Sequence, residues 1–184
     1  MTLQTTVSAI PAAAYVGQIY DLADTDGIGR TAEFTGIAFG IAVLQGTNDN
    51  QVRVPDHGDA LGFGPTDDSL TAFLGVSIHE ARKFAPEQSL PLGQQHGFIQ
   101  ATDTLSICRM GRICVRPEDE VRPNSPVFFR HTLTDPAADP QTQQLGGFLT
   151  TDDGGNAREV MGASFLYTSA AGELNVLDLS ALRR

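Results

Sequence analysis

Leu105-Ser106-Ile107-Cys108-Arg109-Met110-Gly111-Arg112-Ile113-Cys114-Val115-Arg116 is the stretch on which the reading of this chain turns. On each side of Gly111 bulky apolar residues recur at every second position, Leu105 and Ile107 before it, Ile113 and Val115 after it. That is the period of a strand with one buried face; a helix would space them three and four apart. The two β-like runs meet at Gly111, where the missing Cβ makes a bend or bulge easy.

Upstream, the same texture repeats in shorter pieces. Phe73–Ile78 and Gln51–Pro55 read as strands, as does the apolar run Ile37–Leu44. Tyr15–Leu22 alternates well enough for another, and Asp24-Thr25-Asp26-Gly27-Ile28-Gly29 then supplies turn chemistry. Downstream, Pro123-Asn124-Ser125-Pro126 is a turn feeding Val127-Phe128-Phe129-Arg130, a bulky strand that needs cover on at least one face. Met161–Tyr167 and Leu174–Leu179 read as the last two strands, joined through Ala170-Ala171-Gly172. Segments 56–69 and 134–144 read as loops and Asp152–Asn156 as a turn. Nineteen Gly and ten Pro punctuate these runs without forming repeats.

In 184 residues this pattern predicts an all-β, single-domain antiparallel β-barrel or β-sandwich built on one core. The polar, then small-apolar opening over residues 1–14 predicts an extended N-terminal arm that orders on a partner, leaving 15–184 as the β-rich domain.

Twenty-two acids against twelve bases give a formal charge of −10, and the excess is uneven. Residues 1–80 carry ten acids and two bases, and 132–184 carry seven and three, whereas 101–131 carry four acids and five bases. Phosphates would repel such a chain, so nucleic acid is excluded as the expected partner, and a basic protein surface or a cation suits it better. No apolar run approaches the roughly 20 residues that span a bilayer, and Met1–Thr6 lacks the features of a signal peptide, so no membrane partner and a cytosolic origin are expected. Cys108 and Cys114 lie six apart in one β-like stretch and read as small buried hydrophobes, not a bridge.

Candidate chemistry is sparse. His79-Glu80 begins a zincin motif, but Lys83 stands where the second His must be. His57, His96 and His131 are isolated. Asp24, Asp26 and Gly29 fit three positions of a calcium loop that Ile28 and Thr35 break, and Asp67-Asp68 and Asp152-Asp153 read as solvated turns. Gly62-Phe63-Gly64-Pro65 leads into turn residues where a phosphate-binding loop needs a helix. The chain is therefore expected to have no catalytic residues, no cofactor and no metal. The positive feature is Arg109, Arg112, Arg116, Arg122 and Arg130 spaced among apolar residues in the neutral middle. Arginines so placed suit a protein interface because each holds a carboxylate through two hydrogen bonds.

The order of these pieces resembles the structural cement, or capsid decoration, proteins of tailed bacteriophages. A small-residue stretch leads into Gly17-Gln18, an Asp-rich turn follows, and an apolar strand closes on Gly46-Thr47. Phe73-Leu74-Gly75-Val76 runs into a short polar segment. Arg109-Met110-Gly111-Arg112-Ile113 is followed by the acidic turn Pro117-Glu118-Asp119-Glu120 and by Pro126-Val127-Phe128-Phe129-Arg130, with Asn124-Ser125 in place of an expected Gly-Asp. A Gly-Ala-aromatic strand, an Ala-Ala-Gly turn and an apolar last strand complete the likeness.

The resemblance implies a non-enzymatic protein made in the bacterial cytoplasm and carried on the outer surface of the virion capsid. Its partners would be the major capsid protein, whose subunits it bridges, and itself, as a homodimer or homotrimer. Arg109, Arg112, Arg116, Phe128 and Arg130 are the residues expected at the capsid or oligomer interface. The rival readings are a small-ligand or cation-binding β-barrel using the Asp-Gly loops, and a cupin-type enzyme using the four histidines.

Overall fold

The computed structural model describes residues 14–34, 36–55, 73–79, 102–135 and 142–181, with 22–24 as backbone only. Within them lie ten strands: β1 Ile19–Ala32, β2 Ala42–Gln45, β3 Gln51–Arg53, β4 Phe73–Ser77, β5 Thr104–Val115, β6 Phe128–Arg130, β7 Phe148–Leu149, β8 Ala157–Glu159, β9 Ser164–Phe165 and β10 Asn175–Asp178. The described residues form no α-helix, and a single 3-10 turn occupies Asp153–Gly155. The expected arm lies outside the described residues apart from Ala14.

Hydrogen bonds run β1-β3-β2-β4-β5, and β5 returns to β1, closing five strands into a barrel. β10 and then β9 extend from β5, while β7-β6-β8 form a separate three-stranded sheet. All pairings are antiparallel except β1 with β3, which run parallel over Thr31–Gln51 and Ala32–Val52.

Two apolar clusters hold these layers. One fills the barrel with Ala32, Ile37, Ile41, Val43, Val52, Leu105 and Ile107. The other lies between the barrel wall and the small sheet, and joins Ala42, Leu44, Val76, Ile113, Val115 and Leu177 to Val127, Phe129, Phe148 and Phe165. Each fully buried Leu, Ile, Val or Phe contributes on the order of 1.5–3 kcal/mol.

Strand β5 serves both clusters because its alternation inverts partway. Gly27 of β1 faces Cys108 and Asp26 faces Met110, so Arg109 is an extra residue and makes a bulge. Before it, Leu105 and Ile107 point into the barrel; after it, Ile113 and Val115 point into the second cluster. Gly111, at φ 114°, then stands opposite the four residues 22–25 of β1. There β5 exchanges its other neighbour from β4 to β10, and the Gly111 carbonyl accepts from the Leu179 amide at 2.8 Å.

The chain departs from expectation at its start. Tyr15–Gln18 is a turn, with the Gln18 amide donating to the Tyr15 carbonyl, and the strand begins at Ile19. The Asp-Gly stretch 24–29 is strand, not turn, because residues 26–29 pair with β5 while the surplus residues 22–25 loop out opposite Gly111. In Ile37–Leu44 only the last three residues are strand; Gly40, at φ 68°, turns the chain, and Ile37 and Ile41 plug the barrel. Asn124 takes φ 64°, a conformation Asn tolerates, which suits it to the turn expected to carry glycine.

Candidate functional site

The bulge aims two of the expected arginines outward on one surface. Arg109 Nη2 lies 2.6 Å from Asp26 Oδ2, and Arg112 Nε lies 3.1 Å from Asp178 Oδ2 with Nη1 3.8 Å from Asp21 Oδ2. β1, β5 and β10 therefore present a row of half-exposed ion pairs. Beside it the Tyr20 and Tyr167 hydroxyls meet at 3.0 Å, which raises the Tyr20 pKa. Burial works to raise the Asp178 carboxyl, but the Ser180 hydrogen bonds and the Arg112 charge outweigh it and hold the pKa below its ordinary value.

The other three expected interface residues lie elsewhere. Arg116 is half-buried beyond the end of β5, and Phe128 is half-buried on β6. Arg130 is buried, with Nε 2.7 Å from Glu118 Oε2 and Nη1 2.5 Å from Asp153 Oδ2. The Gln144 amide donates to Glu118 Oε1, so one carboxylate ties together the loop after β5, strand β6 and the segment leading to β7. Arg122 is exposed and pairs with Glu120.

The residues weighed for metal or catalytic chemistry do not converge. Asp26 belongs to a strand and an ion pair, the Asp153 carboxylate is held by Arg130, and that of Asp152 accepts from the Gly154 amide. His79 packs between Tyr15 and Phe39, with ring centres 4.4 and 4.7 Å away, and burial lowers its pKa. His131 Nδ1 lies 2.9 Å from Thr132 Oγ1. Among the described residues no three His, Cys, Asp or Glu side chains gather as a metal-binding group. His57, His96, Glu80, Lys83, Asp67-Asp68 and Gly62–Pro65 lie outside the described residues.

One feature escaped the sequence reading. Phe34, just past β1, is 54% exposed at the end of the barrel where Ala32 and Glu33 are joined to Thr47, Thr102 and Asp103. Its only signal in the sequence is an aromatic residue inside the polar string Glu33-Phe34-Thr35-Gly36.

Residues 3–180 match the family model described as structural cement protein (E217 gp24/Pam3 gp6). The chain belongs to the structural cement protein family. Its role is accordingly structural and capsid-associated. A chain from the capsid of Myoviridae phage XM1 is 12% identical, with 99% of each chain covered and a TM-score of 0.63, and shares the fold of this cement protein. The head fiber gp8.5 N base of bacteriophage phi29 is 9% identical, covering 85% of this chain and 95% of its own, at a TM-score of 0.41. No curated protein matches the chain.

Proposed function

We propose that this cement protein binds the outer surface of a tailed-phage capsid as a homodimer or homotrimer and stabilises the shell by bridging subunits of the major capsid protein, without catalysis. Membership of the cement family over nearly the whole chain carries the reading. Stabilisation would come from burying surface on both sides of a subunit seam, each contact on the order of a standard 1,200–2,000 Å² interface. Only the assembled lattice offers both sides.

Arg116 and Phe128, which lie elsewhere, would add separate contacts, and the Arg109 and Arg112 ion pairs form the proposed contact surface. Their half-exposed guanidinium groups keep donor N–H groups at the surface while the aspartates hold them in place, which lowers the ordering cost on binding. Arg130, buried, would support that surface by fixing β6 and the 152–156 turn. Residues 1–14 would add an arm, and 15–184 the capsid-binding domain. The acidic charge suits protein contacts and opposes nucleic acid.

The test is sedimentation of the purified protein with undecorated expanded shells and, separately, with unassembled capsid protein. Saturable binding to shells alone, with a raised shell melting temperature, is expected. Equal binding to free subunits would sink the bridging mechanism, and no binding to shells would sink the reading itself.

A further inference from the structure

Three large apolar side chains of the described residues are more than a third exposed, Tyr15, Phe34 and Met161. Tyr15 leans edge-on against His79, which leaves Phe34 and Met161 as projecting groups. Phe34 differs in how firmly its base is held. The Ala32 amide donates to the Asp103 carbonyl, the Thr102 amide to the Ala32 carbonyl, and the Glu33 amide to the Val52 carbonyl, all within 2.9 Å. The Glu33 carboxylate accepts from both the amide and the hydroxyl of Thr47. Three residues further on, Ile37 is buried in the barrel. The ring thus projects from backbone tied down on both sides, and docking it would cost little ordering entropy.

Among the described residues, the segments beside the ring have one sign. Beside Glu33, the segments 47–50 and 102–104 carry Asp49 and Asp103 and no basic residue. Asp49 and Asp103 are exposed, as are Thr47, Asn48, Asn50, Thr102 and Thr104. The nearest cation on β1 is Arg30, which donates to its neighbour's carbonyl at Gly29. An aromatic anchor inside a hydrated acidic rim has the anatomy of half a protein interface, and its complement is an apolar pocket inside a basic rim. The same rim repels nucleic acid and anionic membrane surfaces.

We infer that this end of the barrel is a second docking surface, which inserts Phe34 into an apolar pocket bordered by Arg or Lys on the capsid protein. The inference rests on the cement reading and supplies what bridging requires, two separate contacts on one molecule. From the Asp26–Arg109 pair to Ala32 is six residues of strand, about 20 Å at roughly 3.3 Å per residue, so the two surfaces can engage different subunits.

The experiment measures co-sedimentation of the full chain with undecorated shells for the native protein and for Phe34→Ala, Phe34→Leu, Asp49→Lys and Asp103→Lys, with sedimentation velocity of each protein alone. Because Phe34 is exposed, Phe34→Ala should melt with the native protein yet bind shells about tenfold or more weakly, Phe34→Leu being intermediate. Each Lys variant should bind several-fold more weakly at low salt, the difference shrinking as salt is added. Native binding undiminished in Phe34→Ala would overturn the inference and leave the cement reading intact. A change confined to self-association would move the tip to a contact between copies and overturn it too. Failure of the native protein to bind shells would overturn both.

Discussion

Arg130 and Glu118 face each other at 2.7 Å with side chains only 6% and 7% exposed, twelve residues apart, the one on β6 and the other in the loop after β5. Burial pushes the Glu118 carboxyl above its ordinary value of 4.5 even though Arg130 and the Gln144 amide both favour its charge. At Glu118 desolvation therefore outweighs attraction, whereas for Arg130 its two carboxylate partners outweigh burial, so removing the arginine leaves a buried carboxylate uncompensated. Arg130→Met should destabilise the protein by roughly 3–5 kcal/mol at neutral pH in denaturant unfolding, and Glu118→Gln by less, since it leaves Arg130 its Asp153 partner. The sign with pH follows from the raised carboxyl. A proton on Glu118 favours the fold, an effect complete below 4.5 and lost as pH rises through the folded value. The Arg130→Met deficit should therefore shrink on acidification; a deficit that grew would contradict this ordering of forces.

Asp153, the second partner of Arg130, sits at φ 46°, where a side chain other than glycine is strained. The ion pair offsets that strain and holds the 152–156 turn against β6. Asp153→Gly loses the pair but relieves the strain, whereas Asp153→Ala loses the pair and keeps it. The glycine variant should be the more stable of the two by about 1 kcal/mol, compared by thermal unfolding.

Two glycines separate strain from collision. At Gly75, φ 151°, an added Cβ would lie 2.2 Å from the Cys108 carbonyl oxygen, inside the β4–β5 ladder of the barrel. At Gly155, φ 91°, nothing lies within 4 Å. Gly75→Ala should cost on the order of 3 kcal/mol or prevent folding, since packed backbone must move, and Gly155→Ala only about 1 kcal/mol of backbone strain. Equal losses in the two variants would place the barrel seam elsewhere.

What the sequence made legible is local. The many short apolar runs were enough for an all-β fold, and Gly111 for a bend or bulge nearby; the extra residue is Arg109, and the change of neighbour falls at Gly111. The Asp-Gly stretch of β1 reads as a turn because turn-forming residues and a bulged strand share a composition, and only the pairing of 26–31 with β5 decides between them. The strands β7 and β8 are too short to show a period. Of the arginines, the spacing announced a polar row but not its partners: Arg109 meets Asp26 across 83 positions, and Arg130 is buried because Glu118 and Asp153 reach it from other segments. Phe34 escaped because exposure of an aromatic side chain depends on which segments crowd around it.

Asp178 ties the last strand to Arg112, and its pH signature should be opposite to that of Glu118. With a folded pKa below the ordinary 3.8, it contributes stability above that value and loses it as pH falls through the folded one. Asp178→Asn should be less stable than the native protein at neutral pH by a margin that stays constant down to the carboxylate range and closes beneath it. Unfolding curves collected across that range check the point, and a margin that widened in acid would rule out the Arg112 pairing as its source.

Cys108 and Cys114 stand on the same strand across the bulge and Gly111, and both are buried free thiols. Burial pushes both up to about 11, so at mildly alkaline pH almost no thiolate forms in the folded protein, and the attacking species for alkylation or disulfide exchange is scarce. Cys108 packs in the cluster beneath the small sheet, while the Cys114 carbonyl and amide bond the Tyr15–Gln18 turn that lies beside it. Reaching Cys108 thus requires parting the two layers, whereas the strand at Cys114 is loosened once the neighbouring turn opens. Under native conditions both should resist a thiol-specific reagent, and in denaturant both should react at once. At intermediate denaturant Cys114 should be modified first, read by peptide mass spectrometry, since local opening of an edge turn costs less than separating packed layers. Earlier modification of Cys108 would mean that the small sheet, not the entry turn, is the first part of the protein to open.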